Sequence, residues 1–124
     1  IDVPCSSTGT IRKNKEIQYL DPFKRLKNLL KIQEDSLNIA KNFVKDKGYI
    51  LYCNCSLFFS EGEDKIHNFI KENSNWKFEK FIKNNKNIEK EWIDKSGFLR
   101  LRPDYLYNEG GMDGFFAALL KKIS

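Results

Sequence analysis

The sequence predicts an α/β domain, and two patterns carry that prediction. A stretch of helically spaced apolar residues precedes a short, nearly continuous apolar run, and a second helical segment follows it. The chain then closes on two extended segments that flank a turn-rich loop. Strand end, helix, strand, helix and hairpin therefore follow one another in the alternation typical of α/β folds. The expected architecture is a parallel sheet with a terminal antiparallel hairpin.

Each element has its own local cause. Residues 3–10 are small and turn-rich, so Ile1-Asp2 reads as the end of a strand. Asp21-Pro22 combines an N-cap with proline at the first helical position. Phe23, Leu26, Leu29, Leu30, Gln33, Leu37, Ala40, Phe43 and Val44 then keep a helical spacing, as one helix or as two with a bend. Gly48 suits the left-handed residue that ends a helix. Residues 49–55 form an apolar run that suits a strand buried on both faces. Ser60 and Glu63 have the spacing of a capping box, and the helix after them should bury Ile66, Phe69 and Ile70. Residues 74–96 are rich in Asn and Lys with isolated aromatics, and no element is assigned there. Residues 98–102 and 114–120 should pair as antiparallel strands around the loop at 103–113.

Size and charge bound the function. A chain of 124 residues fits one domain, and 40% hydrophobic residues are enough for a core. Asp2 stands only one residue into the chain, so little remains of a strand to deliver it. Residues 1–124 therefore read as the C-terminal part of a single larger domain. The net charge of +5 favours an anionic partner such as nucleic acid. Yet 18 lysines against 4 arginines, with 12 Asn and 12 Ile, equally fit the codon bias of an AT-rich genome. Charge alone leaves the partner open. Three cysteines without a secretory segment point to a reducing, cytoplasmic setting. No apolar run approaches the roughly 20 residues of a membrane span.

Two of those cysteines stand out. Cys5 lies in Asp2-Val3-Pro4-Cys5-Ser6-Ser7-Thr8-Gly9, and Cys55 in Tyr52-Cys53-Asn54-Cys55-Ser56-Leu57. Each falls where an extended apolar segment gives way to a polar turn. Sites in open parallel sheets form at the carboxyl ends of strands, so two thiols delivered there can meet over one substrate. An isolated cysteine is more often a small buried hydrophobe, and Cys53 is read that way. Cys5, Cys53, Cys55 and His67 together would be an unusual zinc set, because Cys-x-Cys is not the common Cys-x-x-Cys pair. No metal site is expected.

The segment Asp2-Val3-Pro4-Cys5-Ser6-Ser7-Thr8-Gly9-Thr10-Ile11-Arg12-Lys13 resembles the Asp-Ala-Pro-Cys-Ser motif and its tail in the Sun/Fmu family. Asn54-Cys55-Ser56-Leu57, followed by Glu61 and Glu63, resembles that family's Thr-Cys-Ser motif and acidic helix start. Ile32-Gln33 is similar to its Leu-Gln segment, and Gly111-Met112-Asp113-Gly114-Phe115-Phe116-Ala117 to its closing Asp-Gly-Phe-Phe motif. Val3, Asn54, Lys15, Phe59 and Ser60 depart from the family's usual Ala, Thr, Pro, Pro and Glu.

The family consists of S-adenosylmethionine-dependent RNA cytosine-5 methyltransferases. The resemblance implies the C-terminal half of a Rossmann-like methyltransferase fold. It also implies S-adenosyl-L-methionine as methyl donor and RNA as partner, with ribosomal RNA of the small subunit suggested by the tail Thr8-Gly9-Thr10-Ile11-Arg12. It assigns Cys55 as the nucleophile and Cys5 to product release, and places Asp2 against the methyl donor. Arg12 and Lys13 are expected at the RNA backbone, and the protein is expected to be a monomer. The family's Gly-rich cofactor loop would lie upstream of Ile1, so the chain alone is expected to be inactive. The alternatives are a DNA cytosine-5 enzyme with Cys5 attacking, and a non-catalytic basic RNA-binding module or degraded remnant.

Overall fold

The computed structural model describes residues 1–81 and 87–124. Its regular elements are α1 (Pro22–Phe43), β1 (Tyr49–Asn54), α2 (Glu63–Glu72), β2 (Trp76–Glu79), β3 (Leu99–Leu101) and β4 (Phe115–Lys122). The long β4 is the organising strand. β1 pairs along one side of it, from Tyr49 opposite Lys121 to Asn54 opposite Phe116. On its other side β2 pairs with residues 119–122 and β3 with residues 115–117. All three pairings are antiparallel, and β3–β4 is the expected hairpin. The parallel component lies at the far edge of β1. There Asp2 bridges Cys53, with Val3 N–H donating to the Cys53 carbonyl at 3.0 Å and Cys53 N–H to that of Ile1 at 2.9 Å. β1 is thus an inner strand, flanked by β4 and by residues 1–3.

Both helices contribute to one core. Leu37 of α1 and Ile66 and Phe69 of α2 bury against Ile50, Tyr52, Phe116, Ala118 and Leu120, with Val3, Trp76 and Phe98 closing the cluster. Ile50, Tyr52 and Asn54 alternate inward along β1 while Tyr49 and Leu51 stay exposed. The expectation of a strand buried on both faces is therefore corrected for the described residues. The period-2 geometry sends alternate side chains to opposite faces, and the helical residues of the core meet only one of them.

α1 is one continuous helix, capped by Asp21, whose carboxylate accepts from Phe23 N–H at 3.0 Å. Leu29, Gln33 and Leu37, four apart, form its buried stripe, whereas Phe23 and Phe43 at its ends are exposed. Lys47, not Gly48, takes the left-handed conformation after the helix, at φ 63°. The capping box does not form either. Gly62 is the N-cap of α2, without a side-chain cap bond, and Ser60 lies in the preceding 3-10 turn Phe59–Glu61. Tertiary partners take both acidic side chains of this segment. Residues 74–96, unassigned from the sequence, contain β2 and the turn Lys90–Trp92, and 82–86 lie outside the described residues.

Candidate active site

Cys55 directly follows the last residue of β1, and Cys5 follows the short stretch that pairs with that strand. The register brings the two half-buried thiols together, with Sγ atoms 3.4 Å apart. Ser7, at φ 58°, turns the Cys5 loop so that its N–H donates to the Cys5 sulfur at 3.4 Å. Burial pushes the Cys5 thiol from 9.0 up to about 11, and the neighbouring Cys55 adds to the rise. The Ser7 N–H opposes it.

The residue after each thiol is a serine, and both serines meet one buried carboxylate. Ser6 donates to Glu61 through its N–H at 2.9 Å and through its hydroxyl at 2.5 Å. Ser56 Oγ donates to the same Glu61 oxygen, Oε2, as the Ser6 hydroxyl. Gln33 reaches in from α1, its Nε2 donating to Glu61 Oε1 and to the Pro4 carbonyl, each at 2.9 Å. The Glu61 carbonyl accepts from Tyr52 Oη and Asn54 Nδ2, both at 2.8 Å. Asn54 also accepts from Ser56 N–H at 2.9 Å, closing the turn that carries Cys55.

Further bonds fix the rim. Arg100 on β3 donates to the Ser56 carbonyl at 2.6 Å and holds Glu63 with two bonds, at 3.0 and 2.5 Å. Its guanidinium lies 4.6 Å from the centre of the Phe116 ring. Gly9 N–H donates to the Cys55 carbonyl at 2.8 Å, and Gly114 N–H to the Gly9 carbonyl at 2.7 Å. The glycine of Asp113-Gly114-Phe115-Phe116 is therefore needed for close backbone approach, and no left-handed angle is involved there.

The remaining sequence-derived candidates fall as follows. Asp2 is exposed beside Cys53 at the sheet edge, and its carboxylate makes no hydrogen bond or ion pair among the described residues. Arg12 and Lys13 converge on Asp113, at 3.6 and 2.7 Å, and Arg12 also donates to the Gly110 carbonyl at 3.0 Å. Cys53 lies on the strand side opposite Tyr52, and burial raises its thiol as well. His67 is exposed on α2 and meets the edge of Phe98, 5.6 Å away, so it does not join the thiols. No group of three metal-ligating side chains gathers among the described residues. Sequence reasoning missed the roles of Glu61, Ser6, Ser56, Gln33 and Arg100. One signal was available: Gln33 is a polar residue within an apolar helical stripe, and a buried polar side chain needs a partner.

The sequence and the fold have counterparts among known proteins. A family model described as 16S rRNA methyltransferase RsmB/F matches residues 1–121. The chain is 30% identical to a probable ribosomal RNA small subunit methyltransferase B of Synechocystis, an alignment covering 98% of this chain and 26% of that protein. It is 27% identical to ribosomal RNA small subunit methyltransferase B of Shewanella oneidensis, over 100% of this chain and 26% of that protein. Among solved structures, PH0851 superposes with a TM-score of 0.78 at 30% identity, over 98% of this chain and 25% of that one. NSun6 from Pyrococcus horikoshii with SFG superposes with a TM-score of 0.73 at 20% identity, over 100% of this chain and 29% of that one, a likeness of fold. The chain thus spans about a quarter of the length of the curated relatives it matches. With the matched span taking in the thiol motifs, the Glu61 segment and the Asp113-Gly114 turn, this chain belongs to the 16S rRNA methyltransferase RsmB/F family.

Proposed function

We propose that this chain carries the two-thiol part of an RNA cytosine-5 methyltransferase site acting on small-subunit ribosomal RNA. The observation that carries the reading is the 3.4 Å approach of Cys5 and Cys55, delivered from two separate motifs to one strand end. The five-position carbon of cytosine is a poor nucleophile. Thiolate addition at the six-position turns the ring into an enamine that can accept a methyl group, and this is nucleophilic covalent catalysis. Release then requires loss of the five-position proton and departure of the sulfur.

The two thiols divide those tasks. Cys5, whose thiol burial pushes up to about 11, is assigned to release in this reading. Cys55 is the attacking sulfur, the role that the Asn54-Cys55-Ser56 resemblance implies. Cys5 lies 3.4 Å from it; as Cys5 passes its proton to the departing Cys55 sulfur it becomes the thiolate that takes up the five-position proton, and both sulfurs end protonated.

The methyl donor of this reading is S-adenosylmethionine, which when bound supplies the electrophilic methyl group. Asp2 fits it in one respect: a free, exposed carboxylate at the sheet edge can accept hydrogen bonds from an amine. NSun6, a relative in fold, was solved with SFG, an analogue of that donor. In this reading Arg12 and Lys13 contact the RNA backbone, supported by side chains that stay 42% and 67% exposed while paired with Asp113. The protein is read as a cytoplasmic monomer, and no described helix is long and apolar enough to cross a membrane.

The test is methyl transfer by the full-length protein to small-subunit RNA, with digestion to nucleosides. Five-methylcytidine should appear with the wild type and vanish with Cys55→Ala. Methylation of another base, or of cytosine in the absence of Cys55, would overturn the reading. The 124-residue chain alone should show no transfer, because Asp2 and the Cys5 loop are the parts of it assigned to the donor.

A further inference from the structure

We infer that Glu61 is the positioning residue of the site, the side chain that sets the separation and orientation of Cys5 and Cys55. The inference rests on the methyltransferase reading for its meaning, but its geometry stands alone. Glu61 is fully buried, and its carboxylate makes no hydrogen bond to either thiol. It binds the residue after each one instead. Ser6 and Ser56 place their hydroxyls 3.0 Å apart on one carboxylate oxygen, as the preceding thiols lie 3.4 Å apart. Two Cys-Ser pairs from segments 50 residues apart are thereby clasped across a single side chain.

The chemistry of the clasp suits a carboxylate. Ser6 N–H and Gln33 Nε2 donate to Oε1, and the two serine hydroxyls donate to Oε2. A carboxylate has about four acceptor sites and no donor, so every contact is matched. Gln33 directs its amide nitrogen inward while its own oxygen, buried, finds no partner among the described residues. The clasp is tied to the scaffold at a second point, where Tyr52 and Asn54 of β1 bind the Glu61 carbonyl. The strand that delivers Cys55 thus holds the backbone of the residue whose side chain holds the Cys5 loop. A displacement of about 1 Å at reacting groups can cost on the order of 100-fold in rate, so a clasp at this place bears on turnover.

Substitutions separate the possibilities. Glu61→Ala leaves four donors unmatched and removes the bridge. Glu61→Gln keeps one oxygen for Ser6 N–H and Gln33, and its NH2 can donate to the two hydroxyls, which rotate to accept. Ser56→Ala removes the Cys55 side's bond to Glu61, along with its hydroxyl contacts to Ser6 and Thr8. The readout is thiol spacing, measured without RNA or methyl donor. The full-length protein is treated with diamide, an azo oxidant, and the Cys5–Cys55 disulfide is followed by peptide mass spectrometry. Two S–H bonds break and one S–S bond forms, and the azo group takes up both hydrogens as it becomes a hydrazine.

Disulfide formation should slow about tenfold or more in Glu61→Ala, by the same sensitivity to small displacements, and return to within about threefold of wild type in Glu61→Gln. In methyl transfer, Glu61→Ala should lower kcat and leave KM for RNA nearly unchanged. If Glu61→Ala fails to fold, Ser56→Ala should still slow the cross-link severalfold. A wild-type cross-linking rate in folded Glu61→Ala, or in Ser56→Ala, would overturn the inference. So would a Glu61→Gln variant as slow as Glu61→Ala. Because the cross-link needs no substrate, loss of the methyltransferase reading would leave this result intact, and the reverse also holds.

Discussion

Gly114 donates its backbone N–H to the carbonyl of Gly9 at 2.7 Å, and no side chain fits between the two residues. A Cβ on Gly9 would stand 2.5 Å from the Gly114 oxygen and 2.6 Å from the Cys55 oxygen. A Cβ on Gly114 would stand 2.5 Å from the Leu57 side chain. The backbone of the Cys5 loop is thereby wedged between the Cys55 turn and the start of β4.

Gly9→Ala should therefore destabilise the protein by about 1–3 kcal/mol, the usual cost of overpacking. Neither neighbouring backbone oxygen can swing aside as a flexible side chain would. Chemical denaturation of the full-length protein checks the magnitude. Gly110→Ala serves as the contrast, because a Cβ there meets nothing within 4 Å and the strain comes only from its φ of 94°.

Arg100 and Glu63 form a second lock, with side chains only 13% and 8% exposed. Removing one member of a buried pair leaves an uncompensated charge, at a cost of about 3–5 kcal/mol. Arg100→Ala should fall in that range by denaturant titration. Arg100→Lys should recover only part of it, since an ammonium cannot reproduce the two bonds to Glu63 together with the one to the Ser56 carbonyl.

The Cys5 thiol gives a pH prediction. Its pKa is raised from 9.0 to about 11 in the folded protein. Between those values the folded chain holds a proton that the unfolded chain has lost, so stability declines as pH rises through that window. Below pH 9 the contribution is fully present. Melting temperature should drop more between pH 8 and pH 10.5 for wild type than for Cys5→Ser, which cannot titrate there. Equal drops would contradict the burial of the thiol.

Much of this frame was legible in local pattern. The apolar run before Cys55 became β1, Asp21-Pro22 began α1, and the last two extended segments paired. Contacts distant in sequence were not legible. Nothing near Arg12 and Lys13 in the sequence showed that both also pair with Asp113, 100 residues beyond Lys13. Ser60 and Glu63 had the spacing of a capping box, yet Arg100, 37 residues beyond Glu63, holds that carboxylate. Glu61 looked like part of an acidic helix start and instead lies fully buried between two loops. Local rules predict what a residue does when nothing distant competes, and for Glu61 and Glu63 distant partners did compete.

In the proposed mechanism the two adjacent thiols have different tasks, and a denaturing gel of full-length protein incubated with RNA and S-adenosylmethionine tells them apart. Cys5→Ala should retain attack and methyl transfer but fail in release, giving a slow-migrating, RNase-sensitive band in which RNA stays attached through Cys55. Cys55→Ala and the double variant should show no such band, because the attacking sulfur is gone. A band that appeared only in Cys55→Ala would exchange the two roles. Unchanged turnover in both single variants would contradict the covalent mechanism altogether.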